Sequence, residues 1–135
     1  MALLRECLAA VRARAVNRGH PMTRQRLPGT RAPMHVWTSR DGLDLAGDTW
    51  GDPAAPLVVL LHGLGQTRHA WSGTGLLLGD AGYRAIALDA RGHGDSDWST
   101  EGDYSRKAMV RDLQDVLAQL DARPAAIIGA SMGGA

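Results

Sequence analysis

The chain has 135 residues, enough for one domain and short for a complete α/β enzyme, and its 44% hydrophobic and 21% charged residues are in the balance of a soluble globular protein. A single cysteine, Cys7, excludes an internal disulfide and fits a reducing cytoplasm, and the strongest apolar run, Leu57-Val58-Val59-Leu60-Leu61, falls far below the roughly 20 residues a membrane span needs. The net charge of +1 divides unevenly: residues 1–32 hold seven Arg against the lone acid Glu6, a net of +6, whereas residues 33–135 hold eight basic and thirteen acidic groups, a net of −5.

Residues 1–32 therefore read as a basic, poorly ordered arm. Within it, 3–16 has a partial apolar stripe of Leu3, Leu4, Leu8 and Val11 that fits a short helix, and 17–33 is linker rich in Arg, Pro and Gly. Charge alone is too weak a pointer to assign the arm a nucleic-acid or membrane partner. Met22 and Met34 are both plausible initiators, so the arm also fits sequence translated upstream of the true start.

From residue 33 the pattern changes. His35–Thr38 and Leu43–Ala46 alternate around Arg40-Asp41-Gly42, a hairpin signal, and a rigid loop follows over Asp52–Pro56. Residues 57–61 are continuously apolar, as in a strand buried on both faces. A helix is expected from near Thr67 to Asp80, weakened by Gly73, Gly75 and Gly79. Arg84–Asp89 is the next strand. Ser105 caps a helix whose Met109, Leu113, Val116, Leu117 and Leu120 form one stripe, and beyond Pro124 residues 125–129 form another buried strand. A hairpin followed by alternating strands and helices predicts an α/β, doubly wound and mostly parallel sheet.

Each of the three later strands runs into a loop that carries chemistry. The last enters Gly129-Ala130-Ser131-Met132-Gly133-Gly134, a G-x-S-x-G pattern at a strand-to-helix turn. Such a turn sets a strained Ser above the sheet at a helix N-terminus and leaves no room for side chains two residues to either side. The strand ending at Leu61 enters His62-Gly63-Leu64-Gly65, where a backbone N–H can face developing negative charge. The third loop, Asp89-Ala90-Arg91-Gly92-His93-Gly94-Asp95-Ser96-Asp97, reads as a packed, hydrogen-bonded support beside the site. Nothing in the spacing sets His93 beside Ser131 as a base.

Together, H-G-x-G, D-x-R-G-x-G-x-S and G-x-S-x-G at successive strand ends resemble the α/β-hydrolase superfamily, in its serine esterase, lactonase and haloperoxidase-like branch. The resemblance covers residues 33–135. It implies Ser131 as nucleophile, the backbone amides of Leu64 and Met132 as oxyanion donors, a small-molecule acyl substrate and no cofactor. It also implies a chain order of Ser, acid, His, whereas here only Met132–Ala135 follow the Ser and all five histidines (20, 35, 62, 69 and 93) precede it. The expectation is an incomplete α/β-hydrolase domain over 33–135, inactive by itself because the acid and His are missing, with the strand before Ser131 left as an exposed hydrophobic edge.

A non-catalytic relative that keeps the fold for binding is the alternative. A dinucleotide-binding domain is disfavoured, because Gly63-Leu64-Gly65-Gln66-Thr67-Arg68 lacks the third glycine of G-x-G-x-x-G. No metal ligand pattern occurs, and His62 and His69 read as loop or surface residues. Trp71 and Trp98 are candidates for a pocket wall and more simply core or loop anchors.

Overall fold

The computed structural model describes residues 28–135, so the helix expected over 3–16 and most of the basic arm lie outside the described residues. The expected hairpin forms from β1 (His35–Thr38) and β2 (Asp44–Trp50), antiparallel with Thr38 facing Asp44. Its turn closes through Ser39 N–H to Leu43 O at 2.8 Å, with Gly42 at φ +78° as an Asp-Gly turn requires.

Strand β2 runs on to Trp50 and pairs antiparallel with β4 (Arg84–Leu88). Parallel to β4 lies β3 (Leu57–Leu61), and parallel to β3 lies β5 (Ala126–Gly129), which gives a five-stranded mixed sheet in the order β1-β2-β4-β3-β5. Side chains alternate across a strand, so β3 and β4 feed two cores at once. Val58, Leu60, Ala85 and Ala87 join Trp50 on one face, with Trp71 and Leu78 packed against them; Leu57, Val59, Ile86 and Leu88 join Trp37 and Leu45 on the other.

The helix expected from Thr67 opens as a 3-10 turn over Arg68–Trp71 and continues as α1 (Ser72–Asp80). The glycines that weaken its helical signal are what let it approach β2. A Cβ on Gly75 would enter the Trp50 ring, and one on Gly79 would meet Gly51 N at 2.9 Å. On the opposite face is α2 (Arg106–Gln119), capped as expected by Ser105 Oγ accepting from Ala108 N–H at 3.2 Å. Its Val116 is buried, with Leu113, Leu117 and Leu120 packed on the same cluster. Strand β5 forms the sheet edge, where Ile127 and Ile128 remain 50% and 39% exposed. No described helix is long and apolar enough to cross a membrane.

Candidate active site

The parallel strands β3, β4 and β5 end on the same side of the sheet, where ligands bind in open α/β folds. Beyond β5, Ala130 is extended and Ser131 turns to φ +50°, a left-handed conformation that costs a non-glycine residue roughly 1–3 kcal/mol. The glycines around it have no space for a side chain. A Cβ on Gly129 would strike the backbone of Gly133, and one on Gly133 would strike the Leu61 carbonyl in β3. Ala130 N–H donates to Leu61 O at 3.0 Å, which fastens the turn to the neighbouring strand, and Ser131 itself is exposed. In place of the helix expected from Met132, a 3-10 turn covers Ser131–Gly134. Its bonds run from i to i+3, with Gly133 N–H donating to Ala130 O at 2.9 Å.

The loop after β3 lies against this turn: a Cβ built on Gly63 would be 3.4 Å from Ala130 O. Gly63 N–H donates to Gln66 Oε1 at 3.1 Å, and Gly65 N–H points at His93 Nε2 at 3.4 Å. Leu64 between them is 75% exposed, and its N–H makes no hydrogen bond among the described residues.

Of the two readings expected for His62, loop or surface, the structure has the first: it lies in the loop after β3 and is not on the surface. It is 2% exposed, with Nδ1 2.8 Å from Gly63 O and Nε2 accepting from Ala90 N–H at 3.0 Å. Burial holds its pKa below the ordinary value; the bond to Gly63 opposes that shift, and His93, 5.0 Å away ring to ring, adds to it.

The loop after β4 is hydrogen-bonded throughout, as its composition suggested. Ser96 Oγ donates to Asp89 O at 2.7 Å and accepts from Ala46 N–H at 2.9 Å. Buried Arg91 reaches Asp112 at 2.6 and 2.7 Å and Asp41 at 3.0 Å. The hydrogen bonds to Asp112 are the main reason its guanidinium pKa lies above the ordinary value.

Arg68 escaped the sequence reading, since nothing in its neighbours distinguishes it from a surface Arg at a helix start. It is completely buried, 2.5 Å from Asp89, 2.9 Å from Asp95 and 3.1 Å from Asp48, and it donates to the Arg31 carbonyl at 3.0 Å. Burial alone would lower its pKa, but these carboxylates reverse the sign and raise it. Arg68 thus joins β2, the start of the β3–α1 connection and the loop after β4.

A cavity of about 320 Å³ opens between α2 and the end of β5, lined by His62, Asp89, Met109, Leu113, Gly129 and Met132 among others. Neither Trp71 nor Trp98 lines it: Trp71 packs on the α1 face of the sheet and Trp98 is exposed. Among the described residues there is no group of three or more His, Cys, Asp or Glu arranged to hold a metal ion.

Residues 56–135 match the profile of the alpha/beta hydrolase fold family. The chain is 39% identical over 101 residues to the non-heme chloroperoxidase CPO-A1 of Kitasatospora aureofaciens, a match covering 75% of this chain and 36% of that protein. It is 37% identical over 87 residues to epoxide hydrolase B of Mycobacterium tuberculosis, covering 64% of this chain and 24% of the relative. A carboxylesterase structure from the thaumarchaeon Nitrososphaera gargenis superposes with a TM-score of 0.70 at 29% identity, over 74% of this chain and 37% of that one. The chain thus spans about a quarter to a third of the length of the curated relatives it matches.

Proposed function

The chain belongs to the alpha/beta hydrolase fold family, and from that premise we propose that Ser131 is the nucleophile of a hydrolase acting on an ester, lactone or related acyl bond of a small molecule. The observation that carries the reading is the left-handed backbone of Ser131, held between two glycines that admit no Cβ. Left-handed non-glycine residues cluster at functional sites; Asp121, the other one among the described residues, lies at a helix end, whereas Ser131 is fixed at the C-terminal end of a parallel strand. That conformation leaves the hydroxyl at the C-terminal end of the sheet, opposite the H-G-x-G loop.

In the proposed reaction, Ser131 Oγ attacks the acyl carbon, and the carbonyl oxygen, now negative, is received by the backbone N–H groups of Met132 and Leu64. Two observations support the pair: Met132 follows the Ser directly, and the Gly63 end of the Leu64 loop abuts Ala130. The Leu64 N–H, without a partner among the described residues, supports its part, and each such donor is worth roughly 3 kcal/mol of barrier.

Attack also needs a base for the Oγ proton. The ring nitrogens of His62 and His93 are all committed to backbone partners, and His35 stacks on Trp37 in β1, at the opposite edge of the sheet from β5. The chain order that the resemblance implies, Ser, then acid, then His, assigns both partners to parts of the whole protein that follow the Ser131 turn. On this assignment the polypeptide alone has a binding turn and an attacking atom without its proton acceptor. The names of the relatives, a chloroperoxidase and an epoxide hydrolase among them, agree with small-molecule chemistry. In the superfamily that the sequence resembles, the dehalogenase and epoxide hydrolase branches use Asp at this turn, so the resemblance together with Ser131 favours the acyl-transfer branch.

The test is 4-nitrophenyl ester hydrolysis by the 135-residue polypeptide, with Ser131→Ala as control. The expected result is no Ser131-dependent turnover. Robust turnover lost in that variant would overturn the assignment of the base to residues elsewhere.

A further inference from the structure

The two histidines denied a role as base occupy a position with a different use. The Leu64 N–H shares one planar, trans peptide unit with the Gly63 carbonyl, so the direction of one fixes the direction of the other. That carbonyl accepts from His62 Nδ1 at 2.8 Å and from Gln66 N–H at 3.1 Å. The next peptide unit carries the Gly65 N–H, which points at His93 Nε2 at 3.4 Å. Each peptide unit flanking the Leu64 Cα is therefore gripped by one imidazole.

The other nitrogen of each ring reaches across to the loop after β4. His62 Nε2 accepts from Ala90 N–H at 3.0 Å, and His93 Nδ1 lies 3.2 Å from Arg91 O. The partners dictate the tautomers: an N–H only donates and a carbonyl only accepts, so both rings carry hydrogen on Nδ1 and a bare Nε2.

We infer that His62 and His93 are paired positioning residues that aim the Leu64 amide by tying its loop to the β4 loop, and that the pair works only while both rings are neutral. A proton added to either Nε2 would confront a backbone N–H with a second donor, and two imidazolium rings would stand 5.0 Å apart. The charges around the pair are otherwise spoken for. Asp89 is engaged by Arg68 and by Asp95 N–H, while Asp112 and Arg91 hold one another across the cavity wall. Arg106 lines the same cavity from α2, and β5 and its following turn bring no titratable side chain. The bond to the Gly63 carbonyl explains why a ring is needed at 62, where a longer aliphatic side chain would fill the space without orienting the peptide.

The inference rests on Leu64 as an oxyanion donor, but its test does not involve Ser131. Amide signals and hydrogen exchange are recorded by NMR on the 135-residue polypeptide. In His93→Ala, the Gly65 amide is expected to exchange roughly two- to tenfold faster, as loss of one hydrogen bond dictates, and the Leu64 amide signal to move. His93→Gln, whose amide oxygen can take the place of Nε2, is expected to restore slow exchange and to keep the Gly65 signal fixed with pH. In the wild type, the Leu64, Gly65 and Ala90 signals are expected to stay in place around the ordinary imidazole value and to move together only as pH is taken below it, because burial holds the His62 pKa down. Equal exchange in wild type and His93→Ala, equal acceleration in both variants, or wild-type signals that ignore pH would each overturn the pairing. If His93→Ala does not fold, the wild-type titration decides. In Ser131→Ala the Gly65 exchange difference and the common pH response are expected to persist, so a failure of the nucleophile assignment is read separately.

Discussion

Replacing Arg68 by Met is expected to cost the fold about 3–5 kcal/mol, the range found when one partner of a buried ion pair is removed. The guanidinium is fully buried and faces Asp48 and Asp89, whose side chains are 2% and 0% exposed. Met fills much of the same volume, so packing loss is small, and the cost comes from carboxylates left in the interior without a counter-charge. The loss is measured by urea unfolding of the polypeptide. At a slope of roughly 1–3 kcal/mol per molar urea, a 3 kcal/mol loss lowers the midpoint by about 1–3 M. A double-mutant cycle with Asp89→Asn separates charge from volume. Asp89 accepts from both Arg68 N–H and its Nη1, so the two substitutions should couple by roughly 1–3 kcal/mol, the double variant losing less than the sum of the singles. A loss below about 1 kcal/mol, or strictly additive losses, would refute the reasoning and make the network a bystander.

Two further outcomes follow from other parts of the structure. Gly133→Ala drives a methyl into the Leu61 carbonyl and should destabilise the Ser131 turn by roughly 1–3 kcal/mol, seen as faster exchange of the Ala130 amide that donates to Leu61 O. The exposed Arg40 grips Asp115 through three hydrogen bonds from its side chain and holds that carboxylate below its ordinary pKa, chiefly through those bonds. A depressed carboxylate pKa stabilises above the unfolded value and ceases to do so as pH falls through the folded one. The stability difference between wild type and Arg40→Ala should therefore be present at neutral pH, begin to fall near the ordinary Asp value of about 3.9 and vanish only below the depressed folded value, which unfolding curves across that range would check.

The elements readable from the sequence were those whose cause is local. An unbroken apolar run such as Leu57–Leu61 has to be interior on both faces, Asp41-Gly42 suits a tight turn, and Ser105 three residues before Ala108 caps a helix. The glycines at 129 and 133 are likewise legible in the sequence, because the crowding they relieve is set by the turn itself. What escaped was whatever depends on partners distant in the chain. His62 owes its burial to a bond with Ala90, and Arg68 to carboxylates on β2 and on the loop after β4. A formal charge carries no mark of whether three acids will surround it. The helix expected from Thr67 began instead with a 3-10 turn, and its glycines, which read as a weakness, are contact points with Trp50 and Gly51.

The position of β5 in the sheet has a kinetic consequence. The β1–β2 hairpin closes over a few residues and can form within microseconds. Strand β5 must instead find β3 in a parallel register that joins Val58 to Ala126, sixty-eight positions apart, and such non-local pairings are slow to form. The backbone of Ser131 is held in place by Leu61 through Ala130, so it can adopt its unusual angle only after that pairing is complete. On this ordering, the reactive geometry is among the last features the chain acquires as it folds, and among the first it surrenders when the sheet begins to open.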